Sequence, residues 1–497
     1  PETLRSRALS ASDDDEYKQE PVVPWCRKGA VMSVMSEYKA LLWSGKALDR
    51  NIKRHGSSLV NDFWQLSISA VASGTPASGF AWDRVDYSAE APAGRWKSAG
   101  DVIGDTLIVY GGDDGKQFMS DVWALPLLPL NPNSSLATST SAVDGSKLPG
   151  WVQPTVSSGA SGALPSGRRG HVTVAAHKGN VIVMQGGRMK HHVCLQDTWL
   201  LSPKDGATGP DAWSGPLEWI EAEPLPGSCR WGHAASVVVD PLGGNDLIAI
   251  FGGRQLSPDG SGNFDYHADL WFFNPSVAVP VEGHATAPNA WTLRTPANNL
   301  APLARDHHAM TFDKATASLY VFGGRAHADM DHSALNDLWR YSVSLNEWTC
   351  LQPHGTLPRT RYLHSMVSLN NNLVAFGGEH IKSHQPKNGG KKGDVKLNDL
   401  WMYSPSLNRW SQVSSDGCMA GETGLIYQTS IEGIMTMLLV LSVLFSAALI
   451  LCSHCRQKGS GTLCAHWFAP RTTREGGGTV GIQLSMVPPR TGYERIA

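Results

Sequence analysis

Residues 318–350 read SLYVFGGRAHADMDHSALNDLWRYSVSLNEWTC, and this stretch decides the fold. An aromatic and β-branched run at 319–322 ends in Gly323-Gly324. Asp337-Leu338-Trp339 opens a second such run, and an isolated Trp348 marks a third. Upstream, Arg305 precedes a further run, HAMTF, at 308–312. Short runs of this composition, separated by turn residues, are strand signals, and none of them carries a helical period. The stretch therefore predicts four consecutive strands.

The same order of features recurs six times. The small-residue pairs are Ser44-Gly45, Gly111-Gly112, Gly186-Gly187, Gly252-Gly253, Gly323-Gly324 and Gly377-Gly378. The Asp-x-Trp triplets end at Trp64, Trp123, Trp199, Trp271, Trp339 and Trp401. Each unit opens on an arginine: Arg27, Arg95, Arg168, Arg230, Arg305 or Arg361. Each closes on a lone tryptophan: Trp82, Trp151, Trp219, Trp291, Trp348 or Trp410. The second residues of the pairs fall at 45, 112, 187, 253, 324 and 378, so the period is 54 to 75 residues. Self-similarity at such a period sets the architecture before any local motif is weighed.

This pattern resembles the kelch repeat, each unit of which makes one four-stranded propeller blade. The resemblance covers residues 26–414 and implies an all-β, six-bladed kelch-type β-propeller, with seven blades as the alternative. Unit one departs from it through Ser44 and Phe63. Paired glycines let backbone approach backbone, and a tryptophan fills the wedge between blades. Twelve of the eighteen tryptophans occupy the two repeat positions and read as packing. A histidine follows the opening arginine by three residues in four units, as His171, His233, His308 and His364. These read as members of a buried Arg–His–backbone network rather than a metal ring, because Ala30 and Ser98 break the series.

Residues 1–25 form an N-terminal segment whose EYKQEPVVPWCR (16–27) echoes 218–230. It reads either as the end of a truncated upstream unit or as a strand closing the ring against unit six. Net charge is −2, which excludes a global field for nucleic acid. The eight cysteines show no zinc spacing and no disulfide framework is indicated.

After a linker at 415–432, residues 433–452 carry no charge for 20 positions and predict one transmembrane helix. Arg456, Lys458, Arg471 and Arg474 follow it, so the tail at 453–497 is expected on the cytosolic side and the propeller on the extracellular or lumenal side. The tail is Gly/Pro-rich and predicted disordered. Cys452 and Cys455 at the membrane edge are candidates for acylation, and Asn133 is a candidate for N-glycosylation. Tyr493 and Ile496 resemble a tyrosine-based sorting signal, which implies a clathrin adaptor as partner.

Function is expected in the loops of a rigid ring. Arg188, Arg254 and Arg325 follow their glycine pairs and would line one rim. There they would bind carboxylates or phosphates, or form salt bridges to neighbouring-blade aspartates. The unit-six loop adds Lys382, Lys387, Lys391, Lys392 and Lys396. No nucleophile elbow, phosphate loop or HExxH motif occurs, so the expected function is a membrane-anchored module binding a protein or glycan, with no cofactor. The alternative is a sugar-processing enzyme resembling galactose oxidase. Its copper donors would be sought among His191, His192 and Cys194 in unit three and His380 and His384 in unit six, but these loops lie half a ring apart and the candidates are not expected to converge.

Overall fold

Each sequence unit folds as one antiparallel sheet whose strands follow one another in order. The structure is a computed structural model and describes residues 23–48, 57–68, 79–87, 91–127, 147–178, 180–209, 211–239, 244–277, 290–326, 334–381 and 395–414. Residues 1–22, Asn133, the predicted membrane span 433–452 with Cys452 and Cys455, and the tail with Tyr493 and Ile496 lie outside them. No helix among the described residues is long and apolar enough to cross a membrane.

Sheet one comprises Val31–Ser36, Lys39–Trp43, Phe63–Ile68 and Phe80–Arg84. Sheet two comprises Ala99–Ile103, Thr106–Tyr110 and Val122–Pro126, and its fourth edge is reduced to a bridge between Ala124 and Val152. Sheet three comprises Val172–Ala176, Val181–Gln185, Thr198–Pro203 and Leu217–Ala222, with Val156–Ser158 added in parallel at its outer edge. Sheet four comprises Ala234–Val238, Leu247–Phe251, Leu270–Phe273 and Trp291–Arg294. Sheet five is Ala309–Asp313, Ser318–Phe322, Leu338–Ser342 and Glu347–Leu351. Sheet six is Ser365–Leu369, Asn372–Phe376, Leu400–Ser404 and Arg409–Ser414.

The first strands of successive sheets pack side by side, and that of sheet six packs on that of sheet one. Six apolar clusters fill the wedges between neighbouring sheets, including the wedge between six and one. The closing tryptophan of a unit reaches the preceding sheet. Trp219 meets Tyr110 at 5.4 Å, Trp348 meets Phe251 at 5.2 Å, Trp410 meets Phe322 at 4.9 Å and Trp82 meets Phe376 at 5.1 Å. Truncating a buried aromatic of this kind costs about 3–5 kcal/mol.

The opening arginine is clamped by the aspartate of its own Asp-x-Trp triplet. Arg305 donates to both carboxylate oxygens of Asp337 (2.8 and 2.7 Å) and to the carbonyl of Gly323 (2.9 Å). Trp339 Nε1 donates to the same carboxylate at 2.8 Å. The arrangement repeats with Arg27–Asp62, Arg95–Asp121, Arg168–Asp197, Arg230–Asp269 and Arg361–Asp399. These arginines are among the largest fully buried side chains. The expected Arg–His network is therefore corrected. The guanidinium takes a carboxylate and a carbonyl, which complement its charge better than a neutral imidazole.

The histidines instead fill space beneath glycine. A Cβ on Gly323 would lie 3.0 Å from His364 Cε1, and one on Gly111 would lie 3.0 Å from His171 Cε1. The second glycine of each pair donates its N–H to the carbonyl of the next unit's opening arginine, as in Gly324 to Arg361 at 2.9 Å, and Gly378 to Arg27 completes the series at 2.9 Å. Both glycines have positive φ, 61° and 94° at Gly323 and Gly324. Ser44 is tolerated because the next unit carries Ser98 in place of the histidine. Its hydroxyl bonds the carbonyls of Val60 (2.8 Å) and Arg95 (2.7 Å).

One further ring surrounds the axis. Gly29 donates to Leu363, Leu363 to His307, His307 to Gly232, Gly232 to Gly170, Gly170 to Lys97, and Lys97 back to Gly29, at 2.6 to 3.0 Å. All six residues have φ between 53° and 68°.

Two outcomes follow. Asp337→Ala leaves the buried Arg305 charge uncompensated and should destabilise the chain by about 3–5 kcal/mol in urea titrations. Trp339→Phe removes one hydrogen bond and should cost about 1 kcal/mol. Burial, aided by the adjacent arginine, pushes His171 and His308 down to about 3 and His233 and His364 well below the usual imidazole range. The unfolded chain thus binds more protons than the folded one below about pH 6.5, so stability is full above that pH and is lost as pH falls towards 3. Each such histidine contributes a slope of about 1.4 kcal/mol per pH unit. His364→Ala, which copies Ala30, should lower the measured slope between pH 6 and 4 by about that amount.

Candidate functional site

The residue after each opening arginine and the residue after each small pair face one another through antiparallel bridges at the axis. The pairs are Lys28 with Lys46, Trp96 with Asp113, Arg169 with Arg188, Trp231 with Arg254, Asp306 with Arg325, and Tyr362 with Glu379. The framework arginine and glycines fix these twelve positions, while the side chains there change from unit to unit. They form a mouth on the glycine-pair face, rich in cations and aromatic rings.

The rings and cations alternate. Lys46 lies 5.2 Å from the centre of Trp96, and Arg169 lies 5.2 Å from Trp96 and 4.6 Å from Phe118. Arg188 lies 5.6 Å from Phe118 and 5.7 Å from Trp231. Arg254 lies 4.1 Å from Phe264, and Arg325 lies 4.5 Å from Tyr362. Such stacking orients a guanidinium while leaving its in-plane N–H groups to bond a ligand.

The acids are already engaged. Asp306 is fully buried and accepts from Arg325 (3.1 and 2.9 Å), pairs with Arg254 (3.0 Å) and meets His307 Nδ1 at 2.6 Å. Burial would raise its pKa, but the hydrogen bond from His307 and the guanidinium charges of Arg325 and Arg254 outweigh that effect and hold the carboxyl well below its usual range. Asp113 pairs with Arg169, and Glu379 accepts from Lys28 at 2.5 Å and from the Tyr362 hydroxyl. Among the described residues, Lys46, Arg188 and Lys97 have no carboxylate partner.

All three rim arginines expected from the sequence stand at this mouth. Arg254 forms the expected salt bridge to a neighbouring unit, Arg325 bonds the same aspartate within its own unit, and among the described residues the Arg188 guanidinium has one side-chain polar partner, His192 Nδ1 at 3.2 Å. Trp96, Lys97, Arg169, Trp231 and His307 were not anticipated. Their signal is present in the repeat alignment: the position after the opening arginine reads Lys28, Trp96, Arg169, Trp231, Asp306 and Tyr362 beside an unchanging arginine.

One expectation, the absence of a disulfide framework, is corrected. Cys194 is bonded to Cys229, with Cα atoms 5.6 Å apart, and Cys26 is disulfide-bonded as well. The partners hold different repeat positions, Cys194 after the unit-three glycine pair and Cys229 before the unit-four opening arginine. The end of each glycine-pair loop nevertheless lies beside the next opening arginine, as in Arg230 N–H to Leu195 O at 3.2 Å. The copper donors of the enzyme alternative do not converge. Cys194 is consumed by the disulfide, and His380 bonds Thr360 at 2.9 Å. No three histidine, cysteine or acidic side chains group as a metal site among the described residues. His384 and the loop lysines other than Lys396 lie outside them.

Comparison with known proteins agrees with the repeat. Residues 281–425 match the KLHDC2/KLHL20/DRC7 Kelch-repeats domain model. Kelch repeat-containing protein 2 of Saccharomyces cerevisiae is 28% identical over 235 residues, 46% of this chain and 22% of that protein. Multiple epidermal growth factor-like domains protein 8 of Mus musculus is 28% identical over 256 residues, 50% of this chain and 8% of that protein. Rho GTPase-activating protein gacHH of Dictyostelium discoideum is 26% identical over 187 residues, 37% of this chain and 10% of that protein. The chain spans less than a quarter of each relative's length. Kelch repeats generally serve as protein-binding modules.

The disulfide holds the loop at 188–196, and Arg188 with it, against the entry to unit four. Closing a loop of 35 residues removes about 3–4 kcal/mol of unfolded-state entropy. Replacing Cys194 and Cys229 together by serine should lower stability by that order in urea titrations. Hydrogen exchange at 188–196 should quicken without change in the strands of sheet five.

Proposed function

We propose that the propeller binds a protein partner at the glycine-pair mouth and recognises an acidic segment or a terminal carboxylate there. The observation that carries this reading is Arg188. It is stacked between Phe118 and Trp231, braced by a disulfide-closed loop, and unmatched by any carboxylate among the described residues. A planar guanidinium held in this way suits a carboxylate in bidentate geometry. Lys46 adds a second unmatched cation beside Trp96. A glycan ligand would need an open aromatic face, but Trp231 is buried under Arg188, Arg254 and Phe264, and the surplus of cations at the mouth favours an acidic peptide.

The wider setting belongs to the same proposal. Residues 433–452 would anchor the propeller as a single-pass membrane protein, with the binding face extracellular or lumenal and Tyr493 and Ile496 addressing the cytosolic sorting machinery. Three disulfide-bonded cysteines on the propeller, Cys26, Cys194 and Cys229, support an oxidising compartment. Binding, rather than catalysis, is the activity proposed.

Arg188→Glu tests the site. Screened against an arrayed library of acidic and carboxylate-terminated peptides, the wild-type chain should retain a subset whose binding weakens as salt rises. Arg188→Glu should lose that subset by about a hundredfold or more, as expected when a buried charge pair becomes a repulsion, with an unchanged melting temperature. Retention by the variant at wild-type strength would overturn the assignment.

A further inference from the structure

Lys97 and His307 come from units two and five, on opposite sides of the ring, and meet at its axis. Lys97 Nζ lies 2.8 Å from His307 Nε2, and His307 Nδ1 lies 2.6 Å from the Asp306 carboxylate. The geometry sets the proton positions. Nδ1–H donates to Asp306, which leaves the Nε2 lone pair to accept an N–H from Lys97. Carboxylate, imidazole and amine thus form one chain ending at a primary amine in the mouth.

Three features distinguish this amine from an ordinary lysine. Both residues occupy the left-handed region, with φ of 55° at Lys97 and 53° at His307, where units one, three and four place glycine and unit six places Leu363, also at 55°. Holding non-glycine residues in that region costs free energy and commonly marks a functional position. The groups facing Nζ are chiefly cationic: Arg169, Arg254 and Arg325, against the single carboxylate of Asp306, with the Trp96 ring 4.8 Å away. Burial, reinforced by Arg169 and Arg325, holds the ammonium well below its usual pKa. The residue is nevertheless not wholly enclosed: part of its surface remains exposed at the mouth. Burial likewise holds His307 neutral against the opposing pull of Asp306.

We propose that Lys97 is a nucleophilic amine that captures small aldehydes or α-keto acids at the propeller axis as an imine. The Nζ lone pair attacks the carbonyl carbon and forms the C–N bond. The two amine protons pass in turn through His307 Nε2 to the former carbonyl oxygen, which leaves as water when the C=N bond forms. Amine plus carbonyl gives imine plus water, and no oxidant or reductant enters. Asp306 stabilises the transient imidazolium, and Arg169 or Arg254 would favour a carbonyl compound bearing a carboxylate. This chemistry needs no protein partner and stands apart from the peptide-binding reading.

The test uses the full chain, glyoxylate as the carbonyl probe and cyanoborohydride to trap the imine, with labelled lysines located by peptide mass spectrometry. An ordinary lysine, with a pKa near 10.4, gains about tenfold in free amine per pH unit below that value. Relative to surface lysines such as Lys178 and Lys204, Lys97 should label at least about tenfold faster at pH 7 and should vary little between pH 7 and 9. His307→Asn keeps a residue that tolerates the left-handed region and should slow Lys97 labelling at least about tenfold while leaving the surface lysines unchanged. Labelling of Lys97 that follows the surface lysines in rate and pH dependence would sink the proposal. An unchanged rate in folded His307→Asn protein would do so too, and if that variant fails to fold, the wild-type pH profile decides alone.

Discussion

Everything described here rests on a buried guanidinium held by an aspartate. In each unit the arginine stands before the first strand and the aspartate before the third, so one ion pair fixes the two strand entries that a local meander would leave free. The same arginine bonds the carbonyl of the first pair residue, and the same aspartate accepts from the tryptophan two positions on. Strand entry, glycine turn and third strand are thus locked to one another. The charge is buried only because a bidentate carboxylate and the carbonyl of the first pair residue converge on it, and that convergence makes the combination repeat unbroken where almost every other position drifts.

Neighbouring units are fitted to each other by a second rule, in which what one lacks the next supplies. A glycine without a side chain in one sheet receives the imidazole of the following unit. Where the following unit offers Ser98, the glycine becomes Ser44 and the vacated space is filled from the other side. Unit one therefore departs from the pattern at a place where its neighbour departs too. The imidazole is there for volume and shape, which explains why its ring nitrogens lack well-formed hydrogen bonds.

The sheets were legible in the sequence because their marks are local: strand-length runs, turn residues and a tryptophan at a fixed place. Inter-sheet packing by the closing tryptophan was legible for the same reason. The Arg–Asp clamp was harder to see, since arginine and aspartate stand 26 to 39 residues apart and only the fold shows that they meet. The rim arginines were found by their place after the glycines, but their partners were not, because Asp306, Phe118 and Trp231 belong to other segments. Lys97 and His307 were hidden most completely, being joined across the axis at a separation of 210 residues. The Cys194–Cys229 bond joins two different repeat positions, so aligning the units does not bring its partners together.

The six-membered backbone circuit at the axis has a consequence for how the molecule comes apart. In an open array of repeats, the terminal copies contact one neighbour each and can fray while the middle survives. Here the hydrogen bonds run head to tail through Gly29, Lys97, Gly170, Gly232, His307 and Leu363 and return to their start. No unit is terminal, although the chain has two ends. Detaching any one of them severs two links of the circuit and uncovers two wedges of apolar surface, so partial melting gains little entropy for its cost. Circular closure should make six imperfect repeats behave as a single cooperative object, with the weakest copy protected by its neighbours.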